Sequence, residues 1–145
     1  MTTDGDALGS VQLHHVALPV ADLARSKQFY EDVLGLREIP RPTFDFPGAW
    51  YDLGDGALHL IVRSNGTTRG DKPLDSRDVH FAIRIGNFDA MLERLHGAGY
   101  REDAPASDAR RIKANRVTNA GFPQIFILDP DRHVIEINTV SAPPR

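Results

Sequence analysis

Residues 13–36 read LHHVALPVADLARSKQFYEDVLGL, and a change of period inside this stretch decides the fold. Val16, Leu18 and Val20 alternate with His15, Ala17 and Pro19, which is the period of two expected of a strand over about residues 13–19. After Asp22 the apolar spacing lengthens. Leu23, Phe29 or Tyr30, Val33 and Leu34 fall near one face at helical spacing, Asp22 suits an N-cap, and Gly35 suits a stop. The paired histidines raise a question within this frame. Alternation sends His15 to the side of Ala17 and Pro19, and His14 to the packing side with Val16.

Downstream come three strand-like pieces, REIPR (37–41), GAWYDLG (48–54) and ALHLIVRS (57–64), separated by Pro, Gly and Asp turn signals. The order then restarts. DVHFAIRI (78–85) alternates with Val79, Phe81, Ile83 and Ile85 on one face and His80, Ala82 and Arg84 on the other. NFDAMLERLHGAG (87–99) predicts a helix capped by Asn87 and ended by Gly97 or Gly99. RIKANRVTN (111–119), PQIFILD (123–129) and HVIEINT (133–139) predict three more strands, and residues 101–109 a loop. An offset of 65 lays His15 on His80, and an offset of 77 lays Asp52 on Asp129 and His59 on Glu136. The expected fold is α+β: two paired βαβββ modules, residues 11–64 and 78–140, joined by a flexible, solvated linker over 65–77 and together making one domain.

Composition narrows the function classes. The 145 residues carry a net charge of -3, so there is no basic footprint for nucleic acid. No apolar run approaches the roughly 18 residues of a membrane span. The first ten residues lack the pattern of a signal peptide, and there is no cysteine, so a cytoplasmic protein is expected. Any metal must be held by His, Asp, Glu or Gln.

The period of two then picks out a constellation. His15, His59, His80 and Glu136 each stand on a strand, on the face opposite its apolar residues. Such groups are costly to bury unless paired or coordinated. If the two sheets curl into one cup, the four can converge on one divalent ion, and imidazole with carboxylate suits Zn, Ni, Fe, Mn or Co.

LHHVALPVADLARSKQFYEDVLGL, VHFAIRI and QIFILDPDRHVIEIN together resemble the vicinal oxygen chelate superfamily, the group of glyoxalase I, bleomycin resistance proteins and extradiol dioxygenases. The resemblance implies paired βαβββ modules forming a U-shaped mixed-sheet cup around one divalent metal. It places ligands on the first and last strand of each module, at His15, His59, His80 and Glu136. It further implies a glyoxalase I-like lyase or isomerase of the lactoylglutathione lyase type. Such an enzyme abstracts a proton from a small substrate that chelates the metal through vicinal oxygens, with Glu136 as the catalytic base. It also implies a homodimer with sites at the subunit interface. Glyoxalase I-like members usually carry Glu where His59 stands here. The alternatives are a drug- or metabolite-binding resistance protein, or a small ring-cleaving dioxygenase holding non-haem iron with His15, His80 and Glu136.

Four further residues are substrate-site candidates. Arg84 shares the face of His80 and could reach an anionic group. Trp50 lies in an aromatic-rich stretch with Phe44, Phe46 and Tyr51, which suits a pocket lining or plain core. Arg116 and Gln124 lie where the resemblance puts the substrate side of the cup. His96 is read as a helix-end cation and His133 as a turn residue.

Overall fold

The structure, a computed structural model, describes residues 7–65 and 69–142. Expectations for the extreme termini and for residues 66–68 of the linker lie outside it. The predicted duplication is present. β1 (His15–Val20), β2 (Glu38–Ile39), β3 (Gly48–Asp52) and β4 (Ala57–Val62) form one four-stranded sheet in the order β1-β4-β3-β2. β5 (His80–Arg84), β6 (Lys113–Asn115), β7 (Gln124–Leu128) and β8 (Val134–Asn138) form a second in the order β5-β8-β7-β6. In each sheet the first strand runs parallel to the last, and the other pairs are antiparallel. β1 and β5 are therefore equivalent edge strands, each followed by a helical crossover.

The first crossover departs from one continuous helix. Asp22 does cap α1 (Leu23–Gln28), its side chain accepting from the Arg25 amide. The chain then widens into a π-helical turn over Phe29–Val33, and Gly35 closes it at φ 74. Phe29 and Tyr30, both in that turn, are buried in the core. The second helix, α2 (Phe88–Gly97), is regular and capped by Asn87, as its spacing predicts.

One core joins the modules. Leu18, Val20, Tyr30, Tyr51, Leu58 and Leu60 from the first pack with Ile83, Phe88, Leu92, Leu95, Ile125 and Ile137 from the second. The strand residues among them occupy the alternating positions opposite His15, His59, His80 and Glu136, so the main core holds one face of each sheet, while the other face of the second sheet carries Glu136 beside a small buried cluster of Phe126, Leu128 and Val134.

The β7–β8 turn clasps the modules together. The buried Asp131 carboxylate accepts from the Ala21 amide, the Arg25 guanidinium and the Ser26 hydroxyl. Asp129 accepts from the Tyr30 hydroxyl at 2.7 Å and from the amides of Asp131 and His133. The His133 side chain, expected only to serve the turn, donates Nε2 to the Pro19 carbonyl at 2.7 Å. Arg132 takes φ 67, a conformation that costs a non-glycine residue roughly 1 kcal/mol. Its guanidinium offsets this by donating to the carbonyls of Lys72 and Ser107.

Three expectations are corrected. The linker's charges are not all solvated: Arg69 is buried and donates to Asp78, Pro73 and Arg132. β2 and β6 keep only two and three residues of their predicted runs. Val79 is not a core residue but 80% exposed, because β5 starts at His80 and alternation does not extend before it.

Candidate functional site

Both candidate pairs are built by the same register. In the first sheet Ala17, not His15, lies beside His59, and Trp50 lies on the other side of His59. In the second, Ala82 lies beside Glu136 and Phe126 on its other side. Each module thus sets one metal-competent residue on its central last strand, flanks it with alanine and an aromatic ring, and reaches it diagonally from the first strand.

In the first module the diagonal brings the His15 and His59 rings into a stack at 4.1 Å, inclined by 14°. Trp50 stacks on His59 at 4.0 Å and 3°. His59 is buried between them. Burial, and after it the charges of His15, His14 and Arg41, holds its pKa below the usual 6.5. It is therefore neutral at pH 7 and keeps a lone pair. His14 departs from its predicted place. It precedes the strand, is exposed, and brings its Nδ1 to 2.8 Å from the Nδ1 of His15. One of the two must donate and the other accept, which leaves Nε2 as the outward nitrogen of His15.

In the second module His80 Nε2 lies 3.3 Å from Glu136 Oε1. His80 Nδ1 donates to the Asp78 carbonyl at 2.8 Å. A neutral His80 therefore carries its lone pair on Nε2, facing a carboxylate oxygen. Two acceptors at that distance need a proton or a cation between them, and a backbone carbonyl behind the ring is how metal-binding histidines are commonly oriented. The donor chemistry of both pairs fits a divalent ion. Among the described residues, no three His, Asp or Glu side chains gather closely enough to hold one. The chain thus presents two half-sets, His15 with His59 and His80 with Glu136.

The other candidates separate. Arg84 donates Nε to Asn138 Oδ1 at 2.8 Å and lies over the Phe122 ring. It lines a cleft of about 780 Å³ that also takes in His15 and His80, between the β1 and β5 edges. Gln124 stands beside His80, Phe126 and Glu136 in a second hollow of about 460 Å³. Trp50 stays on His59. Arg116 instead pairs with Asp89 and lies over Phe88 at the start of α2, which is a packing position.

Asn138 was not among the candidates. Buried, it donates Nδ2 to Glu136 Oε2 at 2.7 Å while accepting from Arg84, so it fixes the carboxylate and the guanidinium together. Its place two residues after Glu136, on the same strand face, is a signal that could have found it.

The chain matches the model of the Glyoxalase/Bleomycin resistance protein/Dioxygenase superfamily over residues 12–137. It is 28% identical over 135 residues to the glutathione transferase FosA of Serratia marcescens, covering 92% of this chain and 84% of that one. It is 28% identical over 142 residues to the lactoylglutathione lyase of Haemophilus influenzae, covering 87% and 90%. The fosfomycin resistance protein FosX from Listeria monocytogenes shares the fold at a TM-score of 0.63 and 16% identity, covering 90% of this chain and 94% of that one. With a family match across nearly the whole chain and two four-stranded mixed sheets in duplicate, this protein belongs to the Glyoxalase/Bleomycin resistance protein/Dioxygenase superfamily.

Proposed function

We propose that the protein is a divalent-metal-dependent enzyme of the glyoxalase I type, acting in the cytoplasm as a homodimer. Its substrate is a small molecule that chelates the ion through two vicinal oxygens and loses a proton in a lyase or isomerase reaction. One observation carries this reading. Four metal-competent residues occupy equivalent register positions in two modules, yet the chain gathers them only in twos. A second copy completes the set when the first module of one chain faces the second module of the other. Among the described residues the outer edges of β1 and β5 have no strand partner, which supports such an assembly, because an edge strand presents free backbone donors and acceptors.

His15, His59, His80 and Glu136 would hold the ion. When bound, it supplies Lewis-acid polarisation of the substrate oxygens. The chain's own groups do the rest. Asn138 holds Oε2 of Glu136, which leaves Oε1 to take a proton from a substrate carbon. Arg84, whose terminal nitrogens have no hydrogen-bond partner among the described residues, receives an anionic end of the substrate. Gln124 offers its amide from the same face, and Trp50 shields His59 from water.

The test is elemental analysis of the purified chain, followed by calorimetric titration with Ni²⁺, Zn²⁺, Mn²⁺ and Co²⁺. The reading expects about one ion per chain. A chain that neither carries nor binds any of these ions refutes it, and leaves a binding role as the surviving alternative.

A further inference from the structure

A hollow of about 530 Å³ lies among the helices, and none of the four candidate ligands lines it. It shares no lining residue with the two hollows that hold them. Its lining comes from both modules. α1 and the π-helical turn contribute Arg25, Phe29 and Val33, the end of α2 and the loop after it contribute Arg94, Tyr100 and Arg110, and the clasp turn adds Asp129 and Pro130.

The fold holds two of its three arginines in place. A helix end leaves carbonyls without helical partners, and Arg94 serves two of them, donating Nε to Val33 at 2.7 Å and a terminal nitrogen to Asp32 at 2.9 Å. Gly35 leaves room for this, since a Cβ there would stand 3.2 Å from that nitrogen. Arg110 is fixed through its backbone. Its amide donates to the Asp108 carboxylate at 2.8 Å, and its carbonyl accepts from the Arg101 amide at 2.9 Å. Its guanidinium makes no hydrogen bond among the described residues, and neither Arg94 nor Arg110 pairs with a carboxylate among them. Arg25 is committed to Asp131. Two carboxylates also line the hollow: Asp129 is buried and already accepts from the Tyr30 hydroxyl and two amides, and Asp32 stands exposed.

Tyr100 lines the same hollow with only 7% of its surface exposed, yet its hydroxyl has no hydrogen-bond partner among the described residues. Burial pushes that hydroxyl up to about 12, against the pull of the Arg110 charge, so it is a protonated donor at pH 7. A polar group so buried is costly without an acceptor. Two guanidiniums and a hydroxyl that all lack a charged or polar partner suit an oxyanion. Phe29, Val33, Ala98 and Pro130 suit a compact apolar body, and the volume falls within the roughly 300–1,000 Å³ of small-molecule sites. We propose that this hollow is a second ligand site, taking a small organic acid whose carboxylate or phosphate is received by Arg94, Arg110 and Tyr100. Nothing in this site depends on the metal-dependent reading above.

The full chain, freed of metal with EDTA and held at constant ionic strength, is titrated calorimetrically with benzoate, with phenyl phosphate and with neutral benzamide. At least one of the acids should bind saturably, with benzamide about tenfold weaker or not bound at all. In the ¹⁵N–¹H spectrum the amide signals of Ala98, Gly99 and Arg110 should move, while those of His59 and His80 stay in place. Arg110→Gln and Tyr100→Phe, which keeps the buried ring, should each weaken the bound acid by about tenfold. Arg37→Gln removes an exposed cation paired with Asp52 and should leave the affinity unchanged. The acid that binds identifies the acid group. No saturable binding of either acid, benzamide binding as tightly, shifts confined to the strand histidines, or full affinity in either variant would each overturn the proposal. Titrating the same sample with Ni²⁺ tests the metal-dependent reading separately. Acid binding without Ni²⁺ binding keeps this site and removes the metal, and the reverse result removes this site.

Discussion

His80 and Glu136 meet at 3.3 Å although they are not register partners: Ala82 stands beside Glu136, and the imidazole reaches across it. His15 reaches across Ala17 to His59 in the same way. Both pairs therefore meet across a methyl group, where a longer side chain would lie between the two polar groups. Ala82→Leu should weaken divalent-ion binding by at least about tenfold, the size of effect seen when a ligand's orientation is lost. Ala82 is exposed, so the melting temperature should move by no more than about 3 °C. Calorimetric titration and a melting curve on the same variant check both.

The turn that clasps the modules should matter for stability more than for chemistry. Asp131→Ala removes one buried carboxylate and leaves the Ala21 amide and the Ser26 hydroxyl without acceptors. The expected loss is about 2–3 kcal/mol, with the half-exposed Arg25 contributing little of it. Urea denaturation measures it, and a loss below about 0.5 kcal/mol would show that the clasp is not a structural tie.

Asp129 links stability to pH. Burial raises its pKa above the ordinary 3.8, despite the opposing pull of His133 and the Tyr30 hydroxyl. A carboxyl raised in the folded state contributes its stability fully below 3.8 and loses it as pH climbs through the raised value. Asp129→Asn removes the titration and can still partner the Tyr30 hydroxyl and the two amides. Its urea stability should therefore fall less than that of the wild type between about pH 4 and pH 7. Parallel profiles would contradict this.

Arg116 offers a negative control. It pairs with Asp89 and lies over the Phe88 ring, and it lines neither of the hollows that hold the candidate ligands. Arg116→Ala should cost about 1 kcal/mol or less in stability and leave divalent-ion affinity unchanged within about twofold. A large loss of ion binding would return Arg116 to the site.

The fold was legible because its signals are local. Alternation in VALPV and FAIR shows which face those strands turn to the core, and Asp22 and Asn87 cap the helices they precede. The same alternation puts His15, His59, His80 and Glu136 on the face away from the core. It misplaces His14 and Val79 because both lie one residue outside their strands, where the period no longer holds. What stayed hidden depends on contacts across the chain. The bonds from Asp131 to Ala21 and from Asp129 to Tyr30 span about a hundred residues, and no local pattern announces them. Arg69, read as a solvated linker charge, is buried because Asp78, Pro73 and Arg132 converge on it in space. Asn138 escaped notice because an amide beside a carboxylate is an ordinary pair in sequence, and only the Arg84 bond gives it a second role.

The central claim is that a complete site needs two chains. His59→Ala and Glu136→Gln each spoil one half-set, on different modules. Purified separately, neither should bind Ni²⁺ tightly. Unfolded, mixed in equal amounts and refolded, they should form mixed dimers in which one site carries both lesions and the other carries none. Tight Ni²⁺ binding should then return to roughly a quarter of the wild-type sites, as random pairing in a two-fold dimer requires. A refolded mixture as empty as its two components would contradict the shared site.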